Sequence, residues 1–243
     1  DSSGNAGAAI ATYAARAGLD ADIYVPASVK AAKLRAIERA GATPVRIEGD
    51  RAAVTEACLD AVEAGAGWYA SHSWNPAFFE GTATLAYELA LQRDWNPPDA
   101  VVMPLGHGTL FLGAYRGFRS LVDAGWIDSM PRLLGAQAAG YAPIASELHP
   151  AADGENTVAD GIQIRAPTRK RQLLDAIAET NGDAIAVGED AVRTELDRLH
   201  ANGFYVEPTC AIAPAALAAY RERGTLGPDA DVVVPLTGHG LKG

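Results

Sequence analysis

The residues best able to do chemistry cluster in a glycine turn. An unbroken apolar run over positions 100–103 stops at Pro104 and passes through Gly106-His107-Gly108-Thr109. It then enters a helix-period stretch with Leu110, Ala114, Gly117 and Phe118 on one face. An apolar run without polar alternation marks a strand buried on both faces. Strand, glycine turn and helix in that order aim free backbone N–H groups and the positive end of a helix dipole at one point, which suits a phosphate. A glycine turn also serves simply to let a strand and a helix pack closely, and this stretch alone leaves both readings open. A nucleotide P-loop fits poorly, because no Lys-Ser/Thr pair follows the last glycine. A dinucleotide fingerprint fits poorly, because its third glycine would come only at Gly113 and position 111 is Phe.

Two further polar turns flank this one in sequence. The chain opens on Asp1-Ser2-Ser3-Gly4-Asn5 before a helical run to Arg16 that Gly18 closes. Ser and Asn there serve as ordinary helix caps, or their hydroxyls, amide and backbone N–H groups hold a carboxylate. No strand precedes this first turn, so the chain reads as truncated at its start. The third turn, Leu236-Thr237-Gly238-His239-Gly240, follows an apolar strand expected over 232–235. His107 and His239 read as hydrogen-bonding anchors of their turns, and His72, His149 and His200 carry no signal.

Alternating elements must position these turns. Strands are expected over 22–26, 43–47, 68–70, 100–103, 133–137, 184–187 and 232–235. Helices are expected over 29–39, 51–63, 82–93, 169–180, 189–201 and 214–223, besides those after the first two turns. Positions 145–167 read as an irregular surface stretch. The alternation defines an α/β fold of parallel sheets covered by helices on both faces. Pro97-Pro98 marks a passage between two domains, a smaller one over 1–95 with its N-terminal part missing and a larger one over 96–243 that carries the glycine turn.

With 243 residues, half of them apolar, the chain can bury a large core. No apolar run approaches the ~20 residues that span a bilayer, and no signal peptide is visible. The net charge of −10 argues against nucleic acid as a partner. Cys58 and Cys210 are too few and too far apart for a disulfide framework or a metal site, so no metal and a reduced, cytoplasmic setting are expected.

Taken together, the three turns resemble those of the pyridoxal-phosphate enzymes of the tryptophan synthase β family (fold type II), and within it the threonine synthases. The resemblance covers nearly the whole chain. It rests on Ser2-Ser3-Gly4-Asn5, Asn75-Pro76 with Glu80-Gly81, the Pro104-to-Thr109 turn, and Gly135-Ala136-Gln137-Ala138 with Pro143. Glu207-Pro208-Thr209 and above all Thr237-Gly238-His239-Gly240-Leu241-Lys242 complete it. It implies pyridoxal 5′-phosphate in a cleft between two α/β domains. It implies Gly106, His107, Gly108 and Thr109 around the cofactor phosphate, Asn5 beside its phenolic oxygen, and the Thr237 hydroxyl toward its pyridine nitrogen. Ser2, Ser3, Asn5 and Asn75 would hold a small amino-acid substrate, and a homodimer is a compatible assembly.

The chain departs from the family pattern twice. The Schiff-base lysine should lie roughly thirty residues before Ser2, outside this sequence. Lys30, Lys33, Lys170 and Lys242 sit in charged or terminal settings, unlike the desolvated pocket such an amine needs. Threonine synthases also commonly carry Asn-Pro-Tyr-Arg, whose Arg grips the substrate phosphate; here the run is Asn75-Pro76-Ala77-Phe78. Arg116 and Arg165 are the substitutes that the sequence offers. The reading is therefore a threonine synthase-like lyase, converting O-phosphohomoserine to threonine and phosphate, present as a piece lacking its lysine. The competitors are a serine/threonine ammonia-lyase, which needs no phosphate clamp, and a non-catalytic cofactor-binding homologue.

Overall fold

A computed structural model describes residues 1–2, 4–150 and 154–242, with the side chains of Ala32, Lys33, Arg51 and Lys242 outside the description. The chain divides into two compact units, 1–75 and 76–243.

In the first unit, α1 (Asn5–Ala17), β1 (Asp22–Pro26), α2 (Ala31–Arg39), β2 (Thr43–Ile47) and α3 (Arg51–Glu63) alternate. β1 and β2 pair in parallel, Asp22 opposite Thr43 and Pro26 opposite Ile47. Ile23 and Val25 point from β1 into a core shared with Ala11, Ile37 and Ala42. Local chemistry sets the helix ends. Gly18 caps α1 in the left-handed region at φ 67°, where a side chain would be strained. The Asp50 carboxylate caps α3 by accepting from the Ala53 N–H at 3.0 Å. The strand expected over 68–70 has no ladder pairing among the described residues.

The second unit holds α4 (Ala77–Gln92), β3 (Ala100–Pro104), α5 (Thr109–Asp123), β4 (Arg132–Ala138), the short α6 (Ala145–Leu148) and α7 (Lys170–Glu179). β5 (Asp183–Val187), α8 (Glu189–Ala201), α9 (Pro208–Glu222) and β6 (Val232–Val233) follow. Its parallel sheet has the order β5-β4-β3-β6. β3 is buried along its whole length, as an unalternating apolar run requires.

Helix α4 lies in this unit, so the boundary expected after position 95 falls instead at Asn75/Pro76. The cause is close packing. A β-carbon on Gly113 of α5 would lie 2.0 Å from Thr82 Oγ1, and one on Gly117 would lie 2.6 Å from the Ala83 carbonyl oxygen. Two glycines one helical turn apart let the α4 and α5 backbones approach closely. Thr82 Oγ1 then donates to the Thr109 carbonyl at 3.0 Å. Helix α9 also starts earlier than expected, at Pro208, and carries Pro214 inside it. Pro208 occupies the first turn, where a missing N–H costs nothing.

Candidate cofactor site

β3 delivers its chain to the glycine turn at the C-terminal edge of the sheet, the edge where open α/β sheets bind ligands. Leu105 extends the ladder by donating its N–H to the Ala136 carbonyl at 2.8 Å. Gly106 follows against Ile162, whose Cβ would stand 3.1 Å from any β-carbon at that position. Gly108 adopts φ 80° and caps α5, and its carbonyl accepts from the Leu112 N–H at 2.8 Å. The backbone N–H groups of Gly106, Gly108 and Thr109 have no protein acceptor among the described residues. They sit at the start of a 15-residue helix, so donors and dipole act together. His107 is half-buried within the turn.

The third turn leaves the neighbouring strand at the same edge, because β6 pairs with β3 in parallel through Val232 and Val233. Its shape depends on Glu207. The Glu207 N–H donates to the Gly238 carbonyl at 3.0 Å, and the Gly240 N–H donates to Tyr205 at 3.0 Å. A β-carbon at 238 would overlap the Glu207 carboxylate at 2.1 Å, so a larger residue there would have to displace that side chain. His239 Nδ1 accepts from the Leu241 N–H at 3.1 Å, and its ring meets the Tyr205 ring edge-on at 5.7 Å. These contacts employ His239 in fixing the turn. Thr237 remains exposed.

α9 links the two turns. Thr209, in its first turn, accepts the Gly161 N–H at 3.1 Å, and the adjacent Ile162 packs on Gly106. Gln137 supports the glycine turn from the other side. Fully buried on β4, it donates to the Leu105 carbonyl at 3.3 Å and accepts from the Ile144 and Ala145 N–H groups at 2.8 and 2.9 Å. A polar residue in an apolar strand was the visible signal for Gln137; Ile162 and Leu173, which wall the turn, gave none.

The first unit carries Ser2, Asn5 and Asn75, while Ser3 lies outside the described residues. Ser2 Oγ accepts the Gly4 N–H at 3.2 Å, and the Ser2 carbonyl approaches Gly7 so closely that a β-carbon there would lie 2.1 Å away. The Asp1 carboxylate is held by Tyr69 Oη at 2.7 Å and Thr55 Oγ1 at 2.8 Å. Asn5 is exposed and Asn75 half-buried. Of the lysines, Lys170 pairs with Glu147 at 2.5 Å on the surface and Lys30 precedes α2. Lys33 and Lys242 have no described side chain.

The two arginines named as substitute phosphate clamps separate. The Arg116 guanidinium lies 4.5 Å over the Phe79 ring, with Arg169 4.9 Å from the same ring. Arg165 instead lies 4.3 Å over Tyr141. Phe78 is half-buried. Among the described residues no group of acidic, His or Cys side chains could hold a metal, and no helix is long and apolar enough to cross a membrane.

This architecture is that of the fold type II pyridoxal-phosphate enzymes. The chain superimposes on maize serine racemase with a TM-score of 0.81 at 20% identity, over 98% of this chain and 71% of that one. Tomato threonine deaminase isoform 2, in its processed form, gives 0.81 at 21%, over 98% and 68%. The sequence makes the relation specific: residues 1–238 match the family of pyridoxal-phosphate-dependent enzymes, and the chain belongs to it. It is similar to the threonine synthases of Methanosarcina acetivorans, at 34% identity, and of Methanocaldococcus jannaschii, at 33%. Each match covers 99% of this chain and 61% of the relative, so the chain spans about three-fifths of their length.

Proposed function

We propose that the chain carries the cofactor-holding elements of a threonine synthase-type lyase that converts O-phosphohomoserine and water to threonine and phosphate. The observation that supports this most is the pairing of β3 with β6, which sets the Gly106–Thr109 turn and the Thr237 turn at one sheet edge in a chain of this family. The free N–H groups of Gly106, Gly108 and Thr109 fit a phosphate dianion, and the donor set needs no side-chain cation. Bound pyridoxal phosphate would supply an electron sink for charge developing on the substrate α-carbon.

The chain's own residues then have distinct tasks. Gly106 to Thr109 hold the phosphate and so fix the cofactor's position. Thr237 offers a hydroxyl, not a carboxylate, to the ring nitrogen, and a hydroxyl leaves that nitrogen largely unprotonated and moderates the sink. Ser2 and Ser3, with neighbouring N–H groups at the start of α1, hold the substrate carboxylate, and Asn75 helps to seat the substrate. Asn5 tunes the cofactor's phenolic oxygen. His239 and Glu207 keep the Thr237 turn in shape.

The test is product analysis with pyridoxal phosphate present, on a form of the protein that also carries the Schiff-base lysine these 243 residues lack. Threonine and inorganic phosphate formed in equal amounts from O-phosphohomoserine support the reading. Ammonia and a 2-oxo acid formed from threonine or serine, without phosphate release, would replace it with an ammonia-lyase. Cofactor binding without turnover of either by that lysine-bearing form would contradict the catalytic reading and leave the cofactor site standing.

A further inference from the structure

At the C-terminal ends of β4 and β5 lies a cavity of about 270 Å³, lined by none of Gly106, His107, Gly108, Thr109 and Thr237. It falls short of the ~300–1,000 Å³ that drug-sized ligands occupy, which leaves room for a molecule of amino-acid size. Its walls include Tyr141, Pro143, Ser146, Ala186 and one cation, Arg165. The guanidinium is oriented by the Tyr141 ring at 4.3 Å and by donation to the Gly140 carbonyl at 3.1 Å. That bond uses one of five N–H donors. No carboxylate pairs with Arg165 among the described residues, whereas Arg93, Arg119, Arg171, Arg193 and Arg198 all have one. An oriented guanidinium with free donors in a cavity wall suits an oxyanion. Tyr141 Oη donates to Glu155 at 3.3 Å, which places a negative charge beside the same ring. A dianion meets about twice the repulsion there that a monoanionic carboxylate does.

The cavity is tied to the glycine turn by two routes. Ile144 and Ala145, between the wall residues Pro143 and Ser146, donate to Gln137, which in turn donates to Leu105 beside Gly106. Arg165 itself follows Ile162 and Ile164 in sequence, and Ile162 packs directly on Gly106. In the sheet order β5-β4-β3-β6, the cavity and Thr237 lie on opposite flanks of that turn.

We infer that this cavity is a second binding site, for a carboxylate monoanion of amino-acid size or smaller held by Arg165, and that its occupancy is felt at the glycine turn. Only the consequence for cofactor binding rests on the function proposed above; occupancy of the cavity does not. The probes are acetate, l-alanine and inorganic phosphate, titrated into the whole chain without cofactor and followed by backbone amide NMR. Acetate and l-alanine are expected to give saturable shifts at Gly140, Ala142 and Ser146, with Gly106 and Thr109 moving at the same midpoint. Arg165→Met should raise that midpoint roughly tenfold or more, the loss of a charge-assisted hydrogen bond. Ala186→Leu, which fills the cavity and leaves Arg165 in place, should abolish the shifts. Phosphate shifting Gly140, Ala142 and Ser146 at a lower midpoint than acetate, shifts there that survive both variants, or Gly106 and Thr109 staying still would each overturn the inference. A separate pyridoxal phosphate titration reports on the glycine turn alone, so failure of one reading is distinguishable from failure of the other.

Discussion

A β-carbon on Gly108 would lie 2.3 Å from Leu173 Cδ2, so a buried leucine of α7 sets the path of the glycine turn. Gly108 also holds φ 80°, a conformation that costs a residue with a side chain about 1–2 kcal/mol. Gly108→Ala should therefore destabilise the chain by about 2–4 kcal/mol in urea unfolding, strain and overpacking together. It should also weaken pyridoxal phosphate binding. Leu173→Ala in the same chain should recover part of the overpacking loss and none of the strain. An additive double mutant would mean that the two side chains do not meet.

Gln137 satisfies three backbone groups from a fully buried position. Gln137→Leu keeps much of the volume and strands a carbonyl and two N–H groups, which should cost about 2–4 kcal/mol. Urea unfolding checks the magnitude. A loss below about 0.5 kcal/mol would show that water or a shift of the 140–146 segment replaces those bonds.

Tyr220 is buried and donates to the Gly135 carbonyl of β4 at 2.8 Å, and burial pushes its hydroxyl pKa well up. Tyr220→Phe should cost about 1–2 kcal/mol, because it leaves that carbonyl without its donor. No change in the denaturation midpoint would mean that the carbonyl finds water instead.

Glu189, in the first turn of α8, accepts from Thr157 Oγ1 at 2.7 Å, the Thr157 N–H at 2.8 Å and Arg193. These bonds, the Thr157 hydroxyl first, hold its carboxyl at about 2, below the ordinary 4.5. A carboxyl with a lowered folded-state pKa stabilises above its unfolded value and loses that contribution as pH falls through the folded value. The stability gap between wild type and Glu189→Gln should thus be full above pH 4.5 and close toward pH 2. Thermal denaturation across that window is the check, and a gap that widens on acidification would reverse the sign.

Much of this was legible because the informative signals were local. β1, β2 and α3 lie at the expected 22–26, 43–47 and 51–63, and β3 was recognisable from its unbroken apolar residues. The 68–70 segment was not, because a strand needs a partner and its neighbours cannot be read from three residues. Pro214 misled because proline usually starts a helix, yet Pro208 had already done so six residues earlier. The position of α4 depended on Thr82 and Ala83 meeting Gly113 and Gly117, a long-range fit that periodicity does not encode. The glycine and Thr237 turns could be read as separate motifs, but their shared edge follows from β6 pairing with β3, and the walls Ile162 and Leu173 arrive from distant segments.

The central claim is that Gly106, Gly108 and Thr109 hold a cofactor phosphate, and comparison of pyridoxal 5′-phosphate with pyridoxal tests it most directly. Both would be titrated against the chain with backbone amide shifts as the readout. The account predicts that the phosphate ester binds at least about a hundredfold more tightly, since several charge-assisted hydrogen bonds depend on it. The largest amide shifts should fall at Gly106, Gly108 and Thr109. Equal affinity for the two compounds, or shifts that leave those three residues unmoved, would contradict it.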